Sequence, residues 1–152
     1  MFDLINGIPV HPLVVHAVVV LLPLAILGTI AIALRTDWRT RYGHLVLAAS
    51  AVATVLIPVA TSSGESLEKH VGDPGKHAQL GDQLIWFAVP LLLLDVALVY
   101  LARRKPSQGT ALKVVAALSV VAAVAAGVQV YRVGDSGARA AWGDKVASSH
   151  GR

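Results

Sequence analysis

No Asp, Glu, Lys or Arg occurs between Asp3 and Arg35. An uncharged stretch of this kind, apolar from Pro12 to Leu34, is longer than the ~20 helical residues that cross a bilayer core. Three further runs follow. After the basic turn Arg35 to Arg41 the chain is uncharged from Tyr42 to Gly64, with its most apolar part between Leu45 and Ala60. A third run, Gln83 to Ala102, holds one charge, Asp95, and stops at Arg103-Arg104-Lys105-Pro106, and the fourth extends from Val114 to Tyr131. Strand-like alternation is absent from all four runs, whereas a helix satisfies its own backbone polar groups, as hydrocarbon demands. The expected fold is therefore all-α: a polytopic integral membrane four-helix bundle forming one domain, with spans near 12–34, 43–61, 83–102 and 111–131. An outer loop over 62–82 and a tail over 132–152 complete the expected layout. Pro23, Pro58 and Pro90 lie inside these spans, where proline kinks a membrane helix without breaking it.

Composition agrees. Of the 152 residues, 55% are hydrophobic and 14% charged, against about 25% charged in an ordinary soluble domain. Mean hydropathy is +0.66, and so small a body cannot hide that much apolar surface internally. Lipid must cover the rest. The first span is expected to be retained, because Met1-Phe2-Asp3-Leu4 lacks the basic segment of a signal peptide and the apolar run is too long for one. The absence of cysteine excludes disulfides, thiolate zinc sites, iron–sulfur clusters and a cysteine nucleophile.

The net charge of +4 reports topology rather than nucleic-acid binding, since the basic groups flank the apolar runs without interleaved aromatics. Arg35, Arg39 and Arg41 crowd the first connection, and Arg103, Arg104, Lys105 and Lys113 the third. In the second, Lys69 and Lys76 are offset by Glu65, Glu68, Asp73 and Asp82. The positive-inside rule then places both termini and the second connection outside a cell membrane. Small residues spaced four apart, Ser119, Ala123 and Gly127 in the fourth run, Ala49 with Ala53 and Ser50 with Thr54 in the second, let helix backbones approach closely.

On that topology four of the six histidines gather at the outer side: His11, His16, His70 and His77. Imidazole is the common ligand of haem iron, zinc and copper. His16 lies about a turn inside the first span, where a polar side chain is costly in lipid. His77 follows Asp73-Pro74, an N-cap and first-turn proline signal, so the third helix is expected to begin above the membrane. His11 and His16, five residues apart, diverge by roughly 140° on a helix, and His16 is the preferred ligand of the two. The alternative for each is a structural histidine that hydrogen-bonds a carbonyl or water. Asp95 is read structurally, as a protonated carboxyl or one met by a hydroxyl or an inner-loop base, because no second carboxylate or histidine lies at its depth to make a proton relay. No nucleophile elbow, phosphate loop or zinc-protease spacing is present, so hydrolase chemistry ranks low and enzymatic activity is not assigned.

The opening Gly7-Ile8-Pro9-Val10-His11-Pro12-Leu13-Val14-Val15-His16 resembles the start of the bacterial DUF2231 membrane family. Ser63-Gly64-Glu65-Ser66-Leu67-Glu68 with His77-Ala78-Gln79-Leu80-Gly81-Asp82, and the tail Tyr131 to Trp142, resemble two further family segments. The resemblance covers nearly the whole chain. It implies four transmembrane helices and an outward-facing histidine set at His11, His16 and His77; relatives joined to electron-transfer modules imply a membrane b-type haem. Relatives carry histidine where this chain has Asp135, so a carboxylate replaces imidazole there.

The expected function is thus a membrane protein holding haem b through His16 and His77, supported by His11, and passing electrons to a respiratory or other membrane-complex partner. A zinc or copper ion on the same histidines, with Glu68, His70, Asp73 or Asp135 adding donors, is the close variant. A cofactor-free scaffold or accessory subunit is the rival from another class.

Overall fold

The computed structural model of the protein describes residues 4–5, 8–71, 75–104 and 109–149, with side chains over 10–66, 75–104 and 109–142. Among the described residues five helices carry the fold: α1 (Val10–Leu34), α2 (Thr36–Val71), α3 (Lys76–Asp82), α4 (Ile85–Arg104) and α5 (Thr110–Ser149). A two-residue antiparallel pairing, β1 (Leu4–Ile5) with β2 (Ile8–Pro9), precedes them. Four helical segments are long and apolar enough to cross a membrane: Val10–Leu34, Thr36–Ser66, the α3–α4 segment Lys76–Arg104, and Thr110–Trp142. The all-α four-helix membrane bundle read from the sequence is the fold.

The helices run further than the expected spans. The segment expected as an outer loop is largely helix, because α2 continues to Val71 and α3 follows, and the expected tail is the continuation of α5. No glycine or proline interrupts Glu65 to Val71, so the helix has no stop signal when it leaves the apolar zone. At 36 and 40 residues, α2 and α5 are roughly 54 and 60 Å long, well beyond the ~30 Å of a hydrocarbon core. Pro23, Pro58 and Pro90 all sit inside continuous helices. The Asp73-Pro74 cap signal lies outside the described residues; Gly75, at φ 59°, occupies the position before α3 without a side-chain cap.

In the bundle α1 packs on α2 and α5, and α4 packs on the same two helices, leaving α1 and α4 diagonal. Two apolar clusters fill the centre. One gathers Val18, Leu22, Ile26, Ile57, Leu84 and Leu91 with the small residues Ala53, Ala88, Ala123 and Ala126; the other gathers Ile32, Ala33, Val46, Leu98, Val99 and Leu112. Along α1, α2 and α4 the gap between the clusters is occupied by Thr29, Ser50 and Asp95, all fully buried. Thr29 Oγ1 donates to both carboxyl oxygens of Asp95, at 2.8 and 3.1 Å, which supplies the hydroxyl partner the sequence reading asked for. Of the small residues singled out, Ser50, Ala53, Thr54, Ser119 and Ala123 are buried, while Ala49 and Gly127 are half-buried. The outer faces are apolar instead, with Val19, Leu27, Val55, Leu93 and Val121 among the exposed side chains. That inversion is expected of a bundle solvated by lipid.

The two ends differ chemically. At one, Arg35, Arg41 and Arg104 stack over Trp38, Tyr42 and Tyr100. There the α1–α2 turn is only Arg35 long, and Arg39 folds back to donate from Nε to the Ile32 carbonyl (2.8 Å) and from Nη2 to that of Ala33 (2.7 Å). It thereby satisfies carbonyls that the end of α1 leaves without helical partners. The opposite end carries the histidines.

Candidate functional site

His11 stands in the first turn of α1, where Pro12 is tolerated because the opening amides of a helix have no carbonyl to reach. Its ring leans on α2. Nδ1 lies 2.9 Å from the Ala60 carbonyl and 3.2 Å from Ser63 Oγ, and that hydroxyl donates to the same carbonyl at 2.9 Å. A carbonyl oxygen only accepts, so Nδ1 carries the proton and Nε2 is left with its lone pair in the neutral ring. The ring lies close against Gly64: a Cβ added there would come within 3.1 Å of Cε1.

His77, the second residue of α3, repeats the arrangement on α5. Its Nδ1 is 3.1 Å from the Val133 carbonyl and 3.3 Å from Ser136 Oγ, which donates to that carbonyl at 2.8 Å. A Cβ on Gly137 would approach its Cε1 to 3.0 Å. Neither Nε2 makes a hydrogen bond among the described residues.

Both rings line one cavity of about 620 Å³ at this end of the bundle, floored by Val15, Val18, Leu22, Ile57, Leu84 and Val130, with Thr61, Glu65 and Asp82 also on its wall. Sites for cofactors commonly occupy 300–1,000 Å³ and are mostly apolar with a few placed polar groups. Gln129, fully buried, donates from Nε2 to the Leu80 carbonyl at 2.9 Å and so ties α3, and His77 with it, to α5. The sequence reading passed over Gln129, although it is the only amide in the fourth apolar run. It missed Ser63, Gly64, Ser136 and Gly137 as supports for the rings; the recurrence of Ser-Gly in α2 and α5 was the available signal.

The remaining candidates fall elsewhere. His16, the preferred first-helix ligand in the sequence reading, is exposed and does not line the cavity; its Nδ1 is engaged by the Pro12 carbonyl of its own helix. The angular divergence of His11 and His16 operates as expected, but it is His11 that faces inward. Asp135 is half-buried on another face of α5, paired with Arg139 at 2.9 Å, and is not a cavity residue. The side chains of His70 and Glu68, and Asp73 altogether, lie outside the described residues, as does His150. His44 is exposed at the arginine end. Among the described residues no group of three or more His, Asp or Glu could enclose a metal ion. The arrangement therefore places two imidazole rings, one from α1 and one from α3, on the wall of one largely apolar space.

The family model described as a predicted membrane protein, DUF2231, matches residues 7–150. No curated protein and no solved structure matches the chain.

Proposed function

The chain belongs to the DUF2231 family of predicted membrane proteins, and we propose that it holds a redox cofactor at its histidine end, with haem b the group its donors suit best and His11 and His77 as ligands. One observation carries this reading. Two imidazoles, from α1 and α3, line a single largely apolar cavity, each with Nδ1–H engaged by a backbone carbonyl and with no hydrogen bond at Nε2 among the described residues. Metal-binding histidines characteristically use the second nitrogen in this way, which fixes the tautomer, orients the ring and raises the basicity of the ligating atom.

The donor set also discriminates between cofactors. Zinc and copper sites built from protein groups typically gather three or four donors, and among the described residues no such group is found. A haem brings four nitrogens of its own and takes one or two axial residues. Bound there, haem would supply reversible one-electron chemistry, tuned by His11 and His77 and by the groups that hydrogen-bond them. The chain's own groups bind through the rings, hold them through Ala60 and Val133, and exclude water through the aliphatic floor. In a cell membrane with the basic end inside, this site faces outward, and the electron partner is a membrane-complex or peripheral protein on that side.

The test is an absorption spectrum and metal analysis of the protein purified in detergent. A reducible Soret and α-band signal with stoichiometric iron is the expected result. A colourless preparation free of metal overturns the reading and favours a cofactor-free scaffold subunit.

A further inference from the structure

We infer that the protein is two copies of one helical hairpin in tandem, and that the outer cavity is a two-fold site in which each copy contributes a complete half-site of imidazole, carbonyl, serine and glycine. The inference rests first on the half-sites. His11 is held by the carbonyl four residues before Gly64 and the hydroxyl one before it; His77 is held by the carbonyl four residues before Gly137 and the hydroxyl one before that. Four chemical elements recur in one order on two separate stretches of sequence.

The cores recur in the same register. His11 and His77 are separated by the same 66 positions as Thr29 and Asp95, which hydrogen-bond to each other. At that offset every buried residue of α4 meets a buried residue of α1: Ala88 with Leu22, Leu91 with Ala25, Asp95 with Thr29, Leu98 with Ile32, Val99 with Ala33. On the other helix pair, the offset from Gly64 to Gly137 sets Arg39 on Leu112, Val46 on Ser119, Ser50 on Ala123 and Ala53 on Ala126, all buried. Helical periodicity alone would align two buried faces at roughly one offset in four. It would not also align a histidine, its carbonyl, a serine and a glycine.

Packing obeys the same relation. The first hairpin is α1 with α2, the second α3–α4 with α5, and each first helix also lies against the other hairpin's second helix. Both hairpins start at the same end of the bundle, so the relation is a parallel repeat about an axis along the membrane normal, as occurs in several membrane-protein folds. Thr29 and Asp95 are equivalent residues in mutual contact, which places the axis between them. His16 and Asp82 are equivalent as well and both exposed, but only Asp82 reaches the cavity wall, so the two halves differ at this position.

Two consequences follow for the ligand, taking the imidazoles as ligands as proposed above. The histidines have equal roles toward one metal centre that accepts two donors, and Ser63, Gly64, Ser136 and Gly137 are positioning residues. The test has a cofactor-free and a cofactor-loaded arm. In the full-length protein labelled with ¹⁵N-histidine in detergent, without haem, both rings give the Nδ1–H tautomer. Gly64→Ala and the milder Ser63→Ala each shift the His11 resonances and leave those of His77 in place, and Gly137→Ala and Ser136→Ala do the reverse. Loaded with haem, the protein is six-coordinate and low-spin, and His11→Ala and His77→Ala give the same five-coordinate spectrum. Different tautomers, a response in one half-site only, or a six-coordinate spectrum surviving either histidine variant overturns the two-fold site. Failure to take up haem sinks the cofactor reading alone, because the resonances of the cofactor-free protein still decide the repeat.

Discussion

An imidazole whose Nδ1 faces a carbonyl oxygen has its tautomer chosen for it, and this chain makes that choice twice, at Ala60 and at Val133. The space for each ring is set by the lack of a side chain at Gly64 and Gly137. Gly64→Ala is expected to displace His11 and lower haem occupancy at limiting haem several-fold while the helix content measured by circular dichroism stays constant. Elsewhere, Arg39 is buried with its guanidinium on two terminal carbonyls of α1. Hydrogen bonds from a charged group are worth about 1.5–3 kcal/mol, so Arg39→Ala is expected to destabilise the bundle by about 2 kcal/mol in a denaturant titration in detergent. An unchanged midpoint would show that water replaces the guanidinium there. Thr29→Val removes the hydroxyl from Asp95; interhelical hydrogen bonds in membranes average about 0.6 kcal/mol and reach about 1.7. A loss of about 1 kcal/mol is expected, without loss of the cofactor.

At the scale of elements, the break between α3 and α4 matters most, because α3 carries His77 and is only seven residues long. Such a segment has little helical stability of its own. It is held by the buried Leu80 side chain and by the Gln129 bond to the Leu80 carbonyl. Gln129→Leu leaves that carbonyl without its donor, so α3 is expected to exchange its amide hydrogens faster than α4, with haem affinity falling toward that of His77→Ala. Equal protection in the variant and the parent would show that packing alone seats α3. The spans were legible in the sequence because charge is excluded from them and punctuates their ends. The helical continuation of α2 past Gly64 was not, since a polar run such as Glu65 to Lys69 reads as loop when hydropathy is the main signal. Choosing between His11 and His16 was likewise beyond the sequence. Their divergence was evident, but which one turns inward depends on the glycine of α2 that receives the ring.

For the whole molecule, lipid contact and internal repetition are the organising facts. Apolar side chains cover the outer faces of all four spans, and aromatic residues stand toward both ends, Trp38, Tyr42 and Tyr100 beside the arginines and Trp86 and Tyr131 toward the histidines. Such belts favour the interfacial zone. The repeat escaped the sequence because its hairpins share burial pattern rather than residue identity: Leu22 answers Ala88, Thr29 answers Asp95, and the identical side chains at the site are only His, Ser and Gly. A core tolerates extensive hydrophobic substitution when its patterning and total volume are kept, so two copies can diverge in sequence while retaining one geometry.

The most direct measurement compares haem occupancy, by reduced-minus-oxidised absorption, in detergent-purified His11→Ala, His77→Ala and His16→Ala beside the unsubstituted chain. Loss or conversion of the signal in the first two and full occupancy in His16→Ala is the expected result. Retention of an unaltered signal in either His11→Ala or His77→Ala, or its loss in His16→Ala alone, would contradict a site built from the two inward-facing rings.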